Sequence, residues 1–482
     1  LKFIKMNNGL KLFFIISAGF ILFHCAAFIS IYNSNTELFA KAEAVFANNS
    51  FFFTPCCSAA ENLNSFSAAF FSAFFFTFTA GVIIVLFPAI TGLLYNKGTK
   101  KIKISCIILV FFFTLTQSVF LKSLWFWAFP SLAVFYLTLK LKPGFKINYI
   151  FLIPTAAVLI IMLTYKGDSF FLDTRDKILL TNTPGKKINN FYYKYTLYPA
   201  ELIKAPFAKK LKTAKLHGFS SIKQKKKTEK LLNNFNYFTI TNNNIKTDLI
   251  LKKTKNSIKI ISGKYVSETS YSEFYNQSKD IFKKISEKND KSSFLRKITI
   301  AGFILLLPFS IYCFTSALRL FLSFLNNKKI RSLFSAVFCT SFLLVISAPL
   351  MQNTDFTKKN ILNKLDSDNK FTRIEALKFA GKNNINIPAP EKHLNSNYTA
   401  EKYWAVLNFK IKNIRDLLKI FEKTSDESLN IKCTAYKKLG HYNSDPRFKK
   451  DIKNFLIDNY PEIKDWYVQW YAYTYNRNLF LK

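Results

Sequence analysis

Leu12-Phe-Phe-Ile-Ile-Ser-Ala-Gly-Phe-Ile-Leu-Phe-His-Cys-Ala-Ala-Phe-Ile-Ser-Ile-Tyr32 contains no Asp, Glu, Lys or Arg. A helix of that length covers the ~30 Å hydrocarbon layer of a bilayer. Six further apolar blocks of this kind follow, at roughly 68–95, 104–121, 124–139, 148–165, 298–318 and 332–350. The chain has 482 residues, half of them hydrophobic, with 54 Phe. Because these residues gather into blocks separated by Lys- and Asn-rich connectors, the composition reads as a polytopic membrane protein with soluble parts. The first block is too long for a secretory leader, and His24 before Cys25 does not suit a lipoprotein cleavage site.

The short connectors set an orientation. Lys2, Lys5 and Lys11 precede the first block. Lys97, Lys100, Lys101 and Lys103 follow the second, Lys140, Lys142 and Lys146 the fourth, and Lys328, Lys329 and Arg331 the sixth. With about seven alternating spans these basic segments share one side, which the positive-inside rule makes cytoplasmic. The segment 33–67, with Glu37, Glu43 and Glu61, then lies opposite, as does the carboxyl end. Only Lys122 and Ser123 part the third and fourth blocks, so that pair is read either as two spans or as a re-entrant hairpin. His24 and Gln117 are the main polar side chains within the blocks. So few ionisable groups count against ion-coupled transport.

The formal charge is +40, yet only eight of the 69 basic residues are Arg. Arg carries most bidentate contacts to phosphates and bases, so its scarcity argues against a nucleic-acid partner. Anionic lipid or an acidic polymer suits the charge better. The seven Cys form no even framework and no zinc spacing. Cys25, Cys106, Cys313 and Cys339 read as small hydrophobes within the blocks, Cys433 as packed on a helix, and Cys56 and Cys57 as loop neighbours. No metal site and no cofactor are expected.

These patterns divide the chain into a transmembrane bundle of five spans over 1–165, an extracytoplasmic insert over 166–297, two further spans over 298–350 and a helical-repeat domain over 351–482. The insert opens on Asp173-Thr-Arg-Asp-Lys-Ile-Leu-Leu180, a Thr-Pro-Gly turn, and Ile188-Asn-Asn-Phe-Tyr-Tyr-Lys-Tyr-Thr-Leu-Tyr-Pro-Ala-Glu201. Asp168, Asp173 and Asp176 cluster, but Arg175 and Lys177 interleave and neutralise them. Tyr192, Tyr195 and Tyr198 belong to an aromatic stripe at helical spacing. The stripe is read as a helix at the membrane interface, as a carbohydrate or peptide groove, or as packing against the following domain. A basic helix at Lys223–Leu232, strands at Phe235–Ile240, Thr247–Leu251 and Ser257–Ile261, and a helix near Glu273–Ile285 make a small α+β module. It has no phosphate loop, no paired carboxylates and no nucleophile–base set.

Beyond 358, helical pairs recur. Arg373-Ile-Glu-Ala376-Leu, Lys402-Tyr-Trp-Ala405-Val and Lys432-Cys-Thr-Ala435-Tyr align with steps of 29 and 30 residues, and a looser copy surrounds Trp470. Such a period marks an α-solenoid in which each pair buries its apolar face only against neighbours. Arg373-x-x-Ala-Leu…Gly381 and Lys432-x-x-Ala…Leu-Gly440 resemble HEAT-like repeats over about 125 residues; Pro388 and Pro390 depart from the pattern. The whole chain resembles a group of bacterial multispan membrane proteins that end in such repeats, and the 191–200 stretch strengthens the likeness. The resemblance implies binding through the repeat surface and brings no catalytic residues. Within the last pair, Trp466, Trp470 and Tyr471 are candidate contact residues beside a core or capping role.

The expected fold class is therefore mainly α: a polytopic transmembrane helix bundle, a small α+β insert and a C-terminal α-solenoid. The expected function is a membrane-anchored scaffold of the bacterial cell envelope, multi-pass in the inner membrane, with the bilayer and a protein partner or envelope polymer as its partners. A multispan transferase using a lipid-linked donor, with Glu37 as its acid, and a transporter subunit are the alternatives.

Overall fold

The computed structural model describes residues 8–47, 57–121, 126–141, 150, 153–157, 160, 169–241, 245–322, 325, 327–351, 357, 360–387 and 390–479. The fifth apolar block falls mostly outside these residues, as do Cys56, Lys122, Ser123, Lys142, Lys146, Asp168 and Pro388. The described residues are mainly helical, with a small sheet. It separates into two units, the first made of Leu1–Lys146, Tyr195–Leu305 and Phe480–Lys482, the second of Ile147–Lys194 and Leu306–Leu479.

Among the described residues, five helices are long and apolar enough to cross a membrane: Lys11–Phe46, Ala80–Lys97, Lys100–Val119, Ser293–Arg319 and Lys328–Ala348. Two shorter apolar helices, Phe66–Phe78 and Ala128–Leu139, accompany them. The block expected at 68–95 is thus two helices, parted at Thr79, whose hydroxyl turns back to donate to the Phe75 carbonyl at 2.6 Å. Apolar helices of this number and length are compatible with a multi-pass membrane protein. The first helix, Asn8–Phe46, has 39 residues. At 1.5 Å per residue it is roughly 58 Å long, nearly twice the hydrocarbon thickness.

The first unit packs this helix against Phe66–Phe78, Ala80–Lys97 and Ala128–Leu139 around Phe23, Phe76 and Trp127, which are wholly buried. Polar side chains here bond across helices, as an apolar surrounding requires. Trp127 Nε1 donates to Ser30 Oγ at 2.8 Å, Ser131 Oγ donates to the Ile84 carbonyl at 2.9 Å, and His24 Nδ1 meets Thr77 Oγ1 at 3.0 Å.

The same unit holds a five-stranded sheet in the order β2-β1-β3-β4-β5. Its strands are β1 (Lys212–His217), β2 (Tyr237–Thr239), β3 (Leu249–Lys253), β4 (Ser257–Ser262) and β5 (Tyr265–Ser270). β1 is parallel to both β2 and β3, and β3–β4–β5 is an antiparallel meander. The helices Ile222–Asn234, Tyr271–Asn276 and Ser278–Asn289 bury Leu232, Phe274, Phe282 and Ile285 against Leu249, Leu251, Ile258 and Ile260. Opposite charges tie the sheet to the first long helix: Lys41 Nζ lies 2.9 Å from both Glu37 and Asp248. The sequence reading has three of these strands and lacks β1 and β5.

In the second unit, helices follow in pairs: Ile361–Leu365 with Lys370–Lys382, Pro390–Leu394 with Thr399–Asn408, Ile414–Lys423 with Leu429–Tyr442, and Lys449–Asn459 with Trp466–Asn476. Ala376, Ala405 and Ala435, the residues aligned by sequence, are all buried. The second helix of each pair bonds to that of the next at matching places. Asn408 Nδ2 donates to the Leu377 carbonyl at 2.7 Å and Lys438 Nζ to the Leu407 carbonyl at 2.5 Å. Asn443 Nδ2 donates to the Tyr475 carbonyl at 3.2 Å. Gly381 and Gly440 permit this approach: a methyl group would meet the Asn408 amide at the first and the Tyr475 carbonyl at the second. The first helices are linked in turn by Lys392 with Asp366, Lys419 with Glu391, and the stacked rings of Phe421 and Phe455.

Candidate interaction face on the carboxyl-terminal helices

The distinctive segment from Asp173 onward lies along the second helices of these pairs. It begins as one helical turn, Ser169–Asp173, which widens into the π-helix Thr174–Leu179. There the Leu180 amide donates to the Arg175 carbonyl at 2.8 Å. A π-turn places one extra residue in the turn and redirects the side chains that follow. Asp173 and Asp176 consequently face different donors. Lys378 Nζ is 2.5 Å from Asp173 and 3.1 Å from Glu375, and Lys177 Nζ is 3.5 Å from Glu375. Asp176, fully buried, takes Arg175 Nε at 2.7 Å and the Trp404 indole N–H at 2.8 Å. Arg175 also lies over the Tyr403 ring, 4.3 Å from its centroid.

The contacts then step along the helical pairs in order. Leu180 is buried with Ile374 and Ala400. Lys186 Nζ donates to the Asn397 carbonyl at 3.1 Å. Asn189 Nδ2 donates to Asn430 Oδ1 at 2.6 Å, and Asn190 Nδ2 to the Glu427 carbonyl at 3.1 Å. Tyr193 meets Tyr467 with ring centroids 5.8 Å apart. Residues 173–193 thus supply a side chain to each successive pair, by ion pair, amide bond and ring contact in turn. Taking charges out of water is costly unless each is paired, and removing one partner of a buried pair commonly costs about 3–5 kcal/mol. The mutual pairing of Asp173, Lys177, Glu375 and Lys378, and of Asp176 with Arg175, meets that condition.

One interior carboxylate fixes the first and second pairs. Glu401 accepts Arg373 Nη2 at 3.0 Å, His393 Nδ1 at 2.7 Å and Ser396 Oγ at 2.9 Å. Burial opposes its ionisation, but the hydrogen bonds from His393, Arg373 and Ser396 prevail and hold the carboxyl down at about 2.

The tyrosines and tryptophans chosen from sequence are dispersed. Tyr192 is exposed and sits edge-on to Tyr193. Tyr195 belongs to the first unit, where its carbonyl accepts Ser72 Oγ at 2.7 Å and its ring lies against Phe71. Tyr198 lies on the helix Thr183–Ile203, its side chain outside the described residues. Trp466 and Trp470 are interior. Tyr471 is half-buried between Tyr467 and Tyr475. Tyr193, Tyr467, Tyr471 and Tyr475 form a continuous row of rings 5.0 to 5.8 Å apart. Asn189, Asn190 and Leu180 were missed; only their place opposite the helical pairs distinguishes them. Glu37 is ion-paired with Lys41, whereas Glu43 and Glu61 are exposed. Among the described residues no group of three His, Cys, Asp or Glu side chains could hold a metal ion.

Compared with family models, curated proteins and solved structures, the chain finds no match.

Proposed function

We propose that this chain is a membrane-anchored scaffold of the bacterial cell envelope, whose carboxyl-terminal helical pairs form a HEAT-like solenoid that binds a partner protein or envelope polymer. The observation that supports the reading is the seating of residues 173–193 along the helical pairs, with at least one side chain to each pair. A surface that reads a helical segment in this stepwise way is built for binding rather than for bond-making. The same reading takes the apolar helices as about seven spans of the inner membrane, with the amino end cytoplasmic and the helical pairs outside, from the distribution of Lys and Arg.

Because the second helices hold the chain's own segment, the partner is assigned to the first helices, where Leu362, Ile414, Leu418 and Ile457 are exposed. A photo-crosslinking residue at Leu418 or Leu362 of the full chain in intact cells is expected to give the same discrete adduct from both positions. No adduct from either position would count against the scaffold. Digestion of the 360–479 region in inside-out vesicles but not in spheroplasts would overturn the orientation.

A further inference from the structure

β1 lies between β2 and β3 and is parallel to both. The crossover helix Ile222–Asn234 carries the chain from β1 to β2 on one side, and the chain then returns to β3 on the other. In open α/β sheets ligands bind outside the carboxyl ends of the parallel strands, and in this sheet a crevice lies beyond the ends of β1 and β2, beside the crossover helix. Here it is a cavity of about 190 Å³, lined by Lys215, His217, Lys225, Glu229, Thr239 and Thr241. Gly218, at φ +79°, ends β1 where a methyl group would stand 2.9 Å from the Lys253 carbonyl, so the chain turns off the strand directly beside the opening.

The lining fixes the class of ligand. Glu229 is the one carboxylate among these residues, and Thr239 Oγ1 lies 3.3 Å from its Oε1. Two lysines, a histidine and the threonine hydroxyls surround it. Lys223, Lys226, Lys227, Lys252 and Lys255 stand exposed on the helix, on β3 and on the turn after it, and add a positive field of the kind that draws in anions. The volume is several times that of a water molecule but below the roughly 300–1,000 Å³ of sites for drug-sized ligands. A tetrahedral anion with a small organic body fits, and lysine binds phosphate as a point charge without needing a planar fork. We propose that this cavity binds the phosphate group of a small phosphate ester, either a free metabolite or the headgroup of an anionic lipid. The site is independent of the scaffold reading, since its lining lies wholly within the first unit.

The test is calorimetric titration of the full chain in zwitterionic nanodiscs with glycerol phosphate, inorganic phosphate and acetate, repeated in nanodiscs containing phosphatidylglycerol. Saturable binding of glycerol phosphate is expected, with acetate much weaker. Affinity should fall at least tenfold in the Lys215→Gln/Lys225→Gln double variant and stay unchanged in Lys259→Gln, on β4 away from the cavity. Loss of the signal in phosphatidylglycerol nanodiscs would identify the lipid headgroup as the source; its persistence would identify a free ester. The proposal is overturned if no phosphate compound binds in either nanodisc. It is equally overturned if Lys259→Gln weakens binding as much as the double variant, because the effect is then general surface charge. Unchanged thermal unfolding of the variants excludes misfolding as the cause of a loss.

Discussion

Asp176 and Trp404 are 228 residues apart in the chain, and the indole N–H of Trp404 donates to the carboxylate of Asp176 at 2.8 Å. The carboxylate is fully buried and already paired with Arg175, so the indole satisfies its second oxygen. Hydrogen bonds to charged groups contribute about 1.5–3 kcal/mol, and an orphaned buried acceptor forfeits at least that. Trp404→Phe should therefore lower the unfolding free energy of the second unit by about 2–3 kcal/mol. A double-mutant cycle with Asp176→Asn, read by urea unfolding, should give a coupling above about 1 kcal/mol. Additivity of the two changes would mean that the bond contributes nothing.

Lys378 neutralises Asp173 and Glu375 together. Lys378→Met keeps the side-chain volume but takes the ammonium away from Asp173 and leaves Glu375 with Lys177. The expected loss is about 3 kcal/mol. Proteolysis near 173–193 should become faster in the variant, because the segment loses its first anchor. Unchanged cleavage would show that the segment is held elsewhere.

Gly440 has no room for a side chain, since an added carbon would stand 2.5 Å from the Tyr475 carbonyl. Gly440→Val should cost about 3 kcal/mol or more through displacement of the last helix. Its expected mark is loss of near-ultraviolet circular dichroism from the tyrosine row with helix content largely kept.

Glu401 supplies an acid limit. Its carboxyl is held at about 2, below the ordinary value of 4.5, so the stabilisation is complete above about pH 4.5 and is lost as pH falls towards 2. The shift corresponds to about 3 kcal/mol. Denaturant midpoints between pH 5 and pH 2 should fall more steeply in the wild type than in Glu401→Gln, which is destabilised throughout.

Lys212 has the opposite sign. It is buried beside the rings of Tyr237 and Phe207, and burial lowers its ammonium to about 7 despite the attraction of Asp248 and Glu201. The unfolded chain then binds the extra proton between pH 7 and its ordinary value of 10.5, so stability of the sheet should rise over that window, by about 5 kcal/mol. Lys212→Met should raise the unfolding temperature at neutral pH and flatten that rise. A fall in unfolding temperature would show that the ammonium is needed where it stands.

Apolar blocks and the 30-residue step were legible because each is a local pattern: uninterrupted hydrocarbon length in one, Ala376, Ala405 and Ala435 in the other. Hydropathy alone did not reveal the break at Thr79 or the shortness of Ala128–Leu139. β1 escaped notice because Lys-Thr-Ala-Lys-Leu-His has two lysines and only Ala214 and Leu216 facing the core. Its central place comes from its neighbours, not from its own composition. β5 is a polar edge strand and lacks alternation strong enough to stand out. The face that 173–193 occupies was illegible for a different reason. Arg175 and Lys177 read as local neutralisers of the aspartates, whereas Lys378 and Trp404 reach Asp173 and Asp176 from more than two hundred residues away.

The first helix does not stop where its apolar stretch does. From Tyr32 to Lys41 it continues for nine residues, roughly 14 Å, before gripping Asp248. A rod of that kind works as a mast: the sheet is held at a fixed distance from the apolar stretch 12–32, and whatever docks there is met at that distance rather than at the end of a slack tether.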